Sequence, residues 1–133
     1  MKLHAQAPSN FNTVTAYGPD YIEINRIRHA GSLILTPDSP IQAWEAVAFE
    51  QLRAEHFVPV LELAPELVLI GTGALQRFPA PQITLPLARA GIGYEIMDTA
   101  AACRTFNILT AEGRRVVGAF LACAATAAGR SEK

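Results

Sequence analysis

The sequence predicts an α/β domain on three observations, all between Leu67 and Ala122. An apolar run, Leu67 to Ile70, ends in Gly71-Thr72-Gly73; a second, Tyr94 to Met97, is followed by a helical pattern closed by Glu112-Gly113-Arg114; a third, Val116-Val117-Gly118-Ala119-Phe120-Leu121, comes last. Apolar runs of strand length that alternate with helical patterns are the grammar of βαβ units around a buried sheet. The chain has 133 residues, half of them hydrophobic and 17% charged, so one core is expected, in a single domain over residues 1–128. The polar stretch 129–133 reads as a disordered tail.

Val14 to Tyr17 and Tyr21 to Ile24 have strand propensity and flank Gly18-Pro19-Asp20, which predicts an N-terminal hairpin. Ser32 to Leu35 is a continuous apolar run stopped by Pro37 and Pro40, as in a buried strand. Ile41 to Gln51, around the single Trp44, has no clean period. Ala54 to Leu63 places Phe57, Val60 and Leu61 on one helical face, with Pro59 predicting a short or kinked helix.

Leu67 to Ile70 is the clearest strand, and Gln82 to Ala90 reads as a helix stopped at Gly91 and limited by Pro86. Tyr94 to Met97 is the next strand. Asp98 or Thr99 caps a helix reaching Ala111, with Ala102, Phe106 and Leu109 as its core stripe and Gly113 as its left-handed cap. Arg115 to Ala122 is apolar on both faces and reads as a central strand, followed by an alanine-rich segment of helical or frayed character.

Charge and cysteine usage narrow the function. A net charge of −1 with no basic run argues against nucleic acid as a partner. The N-terminal residues carry no secretory or transit pattern, and Val116 to Ala128 is too short to cross a bilayer, so a cytoplasmic location is expected. Cys103 and Cys123 form no Cys-x-x-Cys pair, and His4, His29 and His56 are scattered, so no metal or other cofactor is expected.

Gly71-Thr72-Gly73, Gly91-Ile92, Glu95-x-Met97-Asp98-Thr99, Ala102-Cys103-Arg104-Thr105-x-Asn107-x-Leu109 and Glu112-Gly113-Arg114 together carry a resemblance. They resemble a family of small domains, mostly hypothetical bacterial and archaeal proteins. Its eukaryotic relatives include the mitochondrial respiratory complex I assembly factor 3 and an adipogenesis-associated cytosolic protein. The resemblance implies a three-layer α/β domain on a central mixed sheet of five strands, the last inserted antiparallel among the others. By analogy it implies an assembly or interaction role with an unidentified protein partner, and no enzymatic activity is established for the family as a whole. A homo-oligomer is left open.

The candidate pocket comprises Gly71, Thr72, Gly73, Asp98, Thr99, Cys103, Arg104 and Asn107. A loop beyond the carboxyl end of a parallel strand is where open α/β sheets bind ligands, and backbone N–H groups there could cradle an anion. No third glycine at dinucleotide spacing and no Gly-Lys-Ser/Thr follows, and eight residues separate Gly73 from Gln82. The competing reading makes the glycines positive-φ or close-packing positions.

Cys103, near a helix N-terminus and beside Arg104, has the position of a reactive thiol, yet no histidine is near in sequence, and packing explains it as well. Asp98 as a cap, Arg104 paired with Glu95 or Asp98, and Asn107 on a backbone group form the structural alternative. Arg114 and Arg115 offset a helix dipole, and Trp44 reads as core packing. No complete set of acid, base and nucleophile emerges, so a non-catalytic module is expected. The alternative is a small-molecule or anion-binding protein, or a cryptic enzyme, built on the Gly71–Gly73 loop with Cys103 and Arg104.

Overall fold

The computed structural model describes residues 11–122. The hairpin forms as β1 (Val14–Gly18) and β2 (Tyr21–Ile24), antiparallel. A third strand that the sequence reading missed, β3 (Ile27–His29), continues the meander. The turn between β2 and β3 uses Asn25 and Arg26, both at positive φ (54° and 71°). Such mirror-image hairpin turns ordinarily carry glycine. Here Asn25 accepts from the Thr13 N–H through Oδ1, and the Arg26 N–H donates to Thr15 Oγ1, so side chains hold the turn that glycine would otherwise permit.

The five-stranded sheet has the order β5-β4-β8-β6-β7. Its strands are β4 (Leu33–Leu35), β5 (Gln42–Ala43), β6 (Leu67–Gly71), β7 (Gly93–Met97) and β8 (Val116–Phe120). The last strand is central, as expected, but its direction needs correction. It runs antiparallel to β4 alone and parallel to β6, which is parallel to β7.

Ile41 to Gln51 resolves into β5 and a 3-10 turn at Phe49–Gln51. The helix expected over Ala54 to Leu63 is a 3-10 turn, Ala54–Phe57, passing into a single α-helical turn, α1 (Val58–Leu61). Pro59 stands at the start of α1, where its missing N–H is harmless. Helix α2 (Pro81–Arg89) continues past Pro86. The carbonyl that Pro86 leaves without an intrahelical donor belongs to Gln82, whose exposure lets water serve it. Helix α3 (Thr99–Ala111) starts at Asp98, whose Oδ1 accepts from the Ala101 N–H at 2.8 Å, and is followed by Gly113 at positive φ.

Alternation along the central strands sorts the core into two faces. Ile34, Val68, Ile70, Val117 and Ala119 meet Phe57, Val60 and Leu87 from the α1–α2 side. Leu33, Leu35, Leu69, Val116 and Phe120 meet Phe106 of α3 and Ile22 and Ile24 of β2 on the other. The result is three layers: α1 with α2, the five-stranded sheet, and α3 with the three-stranded sheet. Trp44 is buried, donates from Nε1 to the His56 carbonyl at 2.8 Å and meets Phe57 edge-on, so its role in the fold is packing. The tail 129–133, Cys123, His4 and the alanine-rich segment lie outside the described residues.

Glu66 ties the entry of β8 to that of β6. Its carboxylate accepts from the Arg115 N–H at 3.1 Å and from Arg114 Nε at 3.0 Å. The Arg115 N–H, then Arg114, hold its carboxyl below the ordinary value. A depressed carboxyl pKa means that the contribution is present above the ordinary carboxylate pKa and lost as pH falls through the depressed value. Acid-range melts should therefore fall less steeply in Glu66→Gln than in the unsubstituted chain. Solvent screening at this exposed pair keeps the difference small.

Candidate functional site

The carboxyl ends of β6 and β7 meet where the sequence placed a pocket, and hydrogen bonds stitch the corner together. The Thr72 N–H donates to the Met97 carbonyl and the Thr99 N–H to the Gly73 carbonyl, both at 2.9 Å. The Gly73 N–H donates to Thr99 Oγ1 at 2.9 Å, and Thr99 Oγ1 donates onward to the Leu121 carbonyl at 2.8 Å. The Leu121 N–H returns to the Gly71 carbonyl at 2.9 Å. The amides of Thr72 and Gly73, the donors an anion cradle needs, are thus already engaged within the chain.

The two glycines do different jobs. Gly73 has φ +94°, a conformation that side chains rarely adopt. Gly71 does not; an added Cβ there would stand 2.8 Å from Thr99 Oγ1 and 3.1 Å from Thr99 Cα. Gly71 lets the start of α3 pack onto the end of β6.

Gly71, Thr72, Gly73, Asp98 and Thr99 form this one corner, and the remaining candidates point elsewhere. Asp98 is spent as the N-cap of α3. Asn107 is turned toward β1, where Oδ1 accepts from the Val14 N–H at 2.9 Å and Nδ2 donates to the Val14 carbonyl at 2.8 Å. Arg104 faces the same strand, and its Nη1 donates to the Tyr17 hydroxyl at 2.7 Å in place of the ion pair expected with Glu95 or Asp98. The Tyr17 hydroxyl is also the leading cause that holds the guanidinium pKa above its ordinary value.

Cys103 is 1% exposed and packs with Ala102 and Phe106 on the core stripe. Iodoacetamide should label it far more slowly in the native protein than in unfolded chain, because the reagent cannot reach a buried sulfur. The measurement is mass spectrometry of a Cys123→Ser background, and native labelling at the unfolded rate would restore the reactive-thiol reading.

A neighbouring feature was missed by sequence reasoning. The loop from Thr72 to Ala80 is pinned at several points. Thr72 Oγ1 donates to the Leu75 carbonyl at 2.6 Å and accepts from the Arg77 N–H, and Gln76 Nε2 donates to the Ile96 carbonyl. Arg77 lies over the Phe49 ring, 4.4 Å from its centroid, and pairs with Glu50 at 2.9 Å. Between these anchors Leu75 and Phe78 stand 68% and 70% exposed. The available signal was two large apolar residues in the proline-rich stretch 74–81, where a loop is otherwise polar.

Among the described residues no helix is long and apolar enough to cross a membrane, and no three His, Cys, Asp or Glu side chains are grouped to hold a metal ion. Comparison with known proteins places the chain. Complex I assembly factor 3 of Bos taurus is 34% identical over 110 residues, covering 81% of this chain and 59% of that protein. The Mus musculus counterpart is 37% identical over 93 residues, covering 68% of this chain and 49% of that protein. The chain therefore spans only about half to three-fifths of these relatives.

A crystal structure from Bordetella parapertussis matches with a TM-score of 0.80 and 44% identity, covering 84% of this chain and 96% of that one. A Mth938-like domain from Bordetella pertussis matches with a TM-score of 0.78 and 37% identity over 92% and 93% of the two chains. The match to the model of a protein family of unknown function, DUF498/DUF598, runs over residues 14–121, nearly every residue of the described fold, and the chain belongs to that family.

Proposed function

We propose that this chain is a non-catalytic interaction module that serves the assembly of a larger protein complex, in the cytoplasm, and that the loop carrying Leu75 and Phe78 is its contact point. The observation that carries this reading is the loop itself. Exposed apolar side chains gain most by burial against a partner, and a loop already fixed by Thr72, Gln76 and Arg77 loses little entropy on docking. The relatives named as complex I assembly factor 3 support the assembly class. The engaged amides at Thr72 and Gly73 weigh against the alternative of an anion site in that corner.

The test is cross-linked capture of the tagged chain from its native host with membranes retained, beside a Leu75→Ser/Phe78→Ser variant. Both positions are solvent-facing, so equal melting temperatures are expected. The expected result is a subunit of a multi-subunit complex captured by the unsubstituted chain and lost from the variant. The same proteins on both, or none above an untagged control, would overturn the reading.

A further inference from the structure

The end of the sheet opposite the stitched corner is open. A cavity of about 320 Å³ lies at the amino ends of β6 and β8, between the loop after β4 and the turn that follows α3. That volume is within the range of small-molecule sites.

Side-chain hydrogen bonds hold both walls in place. Asn12, itself buried, fixes the loop after β4: its Nδ2 donates to the Thr36 and Ser39 carbonyls at 2.7 and 2.8 Å, and its N–H to the Pro37 carbonyl at 2.7 Å. On the far wall Glu66 clamps Arg114 Nε and the Arg115 N–H, and Arg115 Nη2 donates to the Ala64 carbonyl at 2.9 Å. These bonds use only part of each guanidinium's donor set. Phe11, Leu63, Pro65 and Val116 add apolar residues to the lining.

We infer that this cavity binds a small organic acid with an apolar body and a hydroxyl group. Arg114 and Arg115 are among the lining residues, and a guanidinium with donors left over from Glu66 and Ala64 recognises a carboxylate. Asp38 and Ser39, from the loop after β4, also line the cavity, and among the described residues Asp38 makes no ion pair. An acceptor carboxylate at that position takes a hydroxyl hydrogen bond and repels a second negative charge, which selects a hydroxylated monoacid over a phosphate dianion. The apolar lining residues take the hydrocarbon part.

Three probes separate the requirements: 3-phenyllactate has all three features, 3-phenylpropionate lacks the hydroxyl, and 1-phenyl-2-propanol lacks the carboxylate. Each is titrated into the 15N-labelled full chain, following the amides of Ser39, Gly113 and Val116. Saturable shifts at these amides are expected with 3-phenyllactate, and affinity about tenfold weaker when either polar group is missing, the equivalent of one charge-assisted hydrogen bond.

Arg115→Gln should weaken both acids about equally, and Asp38→Asn should shrink the preference for 3-phenyllactate over 3-phenylpropionate. A dispersed amide spectrum confirms that each variant is folded. The inference is overturned if 3-phenyllactate gives no saturable shift, if the shifts lie away from this cavity, if neither polar group of the probe affects affinity, or if Arg115→Gln binds as well as the unsubstituted chain.

Discussion

Gly71→Val is expected to destabilise the protein by about 3 kcal/mol or more, the upper part of the range for overpacking a tight core. Its added Cβ would meet Thr99 Oγ1 at 2.8 Å, Thr99 Cα at 3.1 Å and Phe120 Cδ1 at 3.2 Å. Thr99 Cα is backbone at the first residue of α3, and Phe120 is a fully buried ring set edge-on to Phe106. Neither neighbour is the loose end of a flexible side chain, so relief requires moving α3 off the sheet. Gly73→Val presents another case: its Cβ would meet nothing nearer than the Ala122 carbonyl oxygen at 3.8 Å, and the cost is conformational, about 1–2 kcal/mol for a side chain at positive φ. Denaturant melts of the two variants check the order. Equal losses would mean that a single strained turn explains both positions.

The strands and helices were legible in the sequence wherever one local rule decided them. Leu67 to Gly71 is apolar at every position because β7 and β8 flank it and helices cover both faces. Asp98 and Gly113 mark the ends of α3 by cap chemistry that operates within four residues. The third strand was missed because its turn, Asn25-Arg26, lacks glycine and depends on Thr13, just before β1, and Thr15 within it. No local pattern contains that information. The direction of β8 relative to β6 is likewise a property of the whole path, since an apolar run reads the same in either direction.

The candidate corner divided along the same line. Gly71–Gly73, Asp98 and Thr99 converge because they stand at the ends of adjacent parallel strands, a relation that βαβ grammar implies. Arg104 and Asn107 turn away because their partners, Tyr17 and Val14, are 87 and 93 residues distant in sequence. Gly118 shows what such a reading omits even in a well-predicted strand. A Cβ there would run into the Phe120 ring, so the glycine is the seat of that ring, and Val-Val-Gly-Ala-Phe reads as a strand without revealing it.

Thr99→Val should cost about 3 kcal/mol although it preserves the shape of the side chain. Thr99 is 1% exposed, and its hydroxyl is the joint between two backbone groups: it accepts from the Gly73 N–H and donates to the Leu121 carbonyl. Valine leaves both groups buried and unpaired, and each such orphan costs about 1–3 kcal/mol. For a domain of this size that loss lowers the melting temperature by roughly 10 °C. Thr99→Ser keeps the hydroxyl and loses only a methyl, so it should retain most of the stability. The pair separates hydrogen bonding from packing, because valine keeps the volume and serine keeps the bonds. If serine destabilises as much as valine, the methyl packs the corner and the hydroxyl is incidental. If valine melts like the unsubstituted chain, water reaches Gly73 and Leu121, and the carboxyl end of the sheet is open enough to admit a ligand after all.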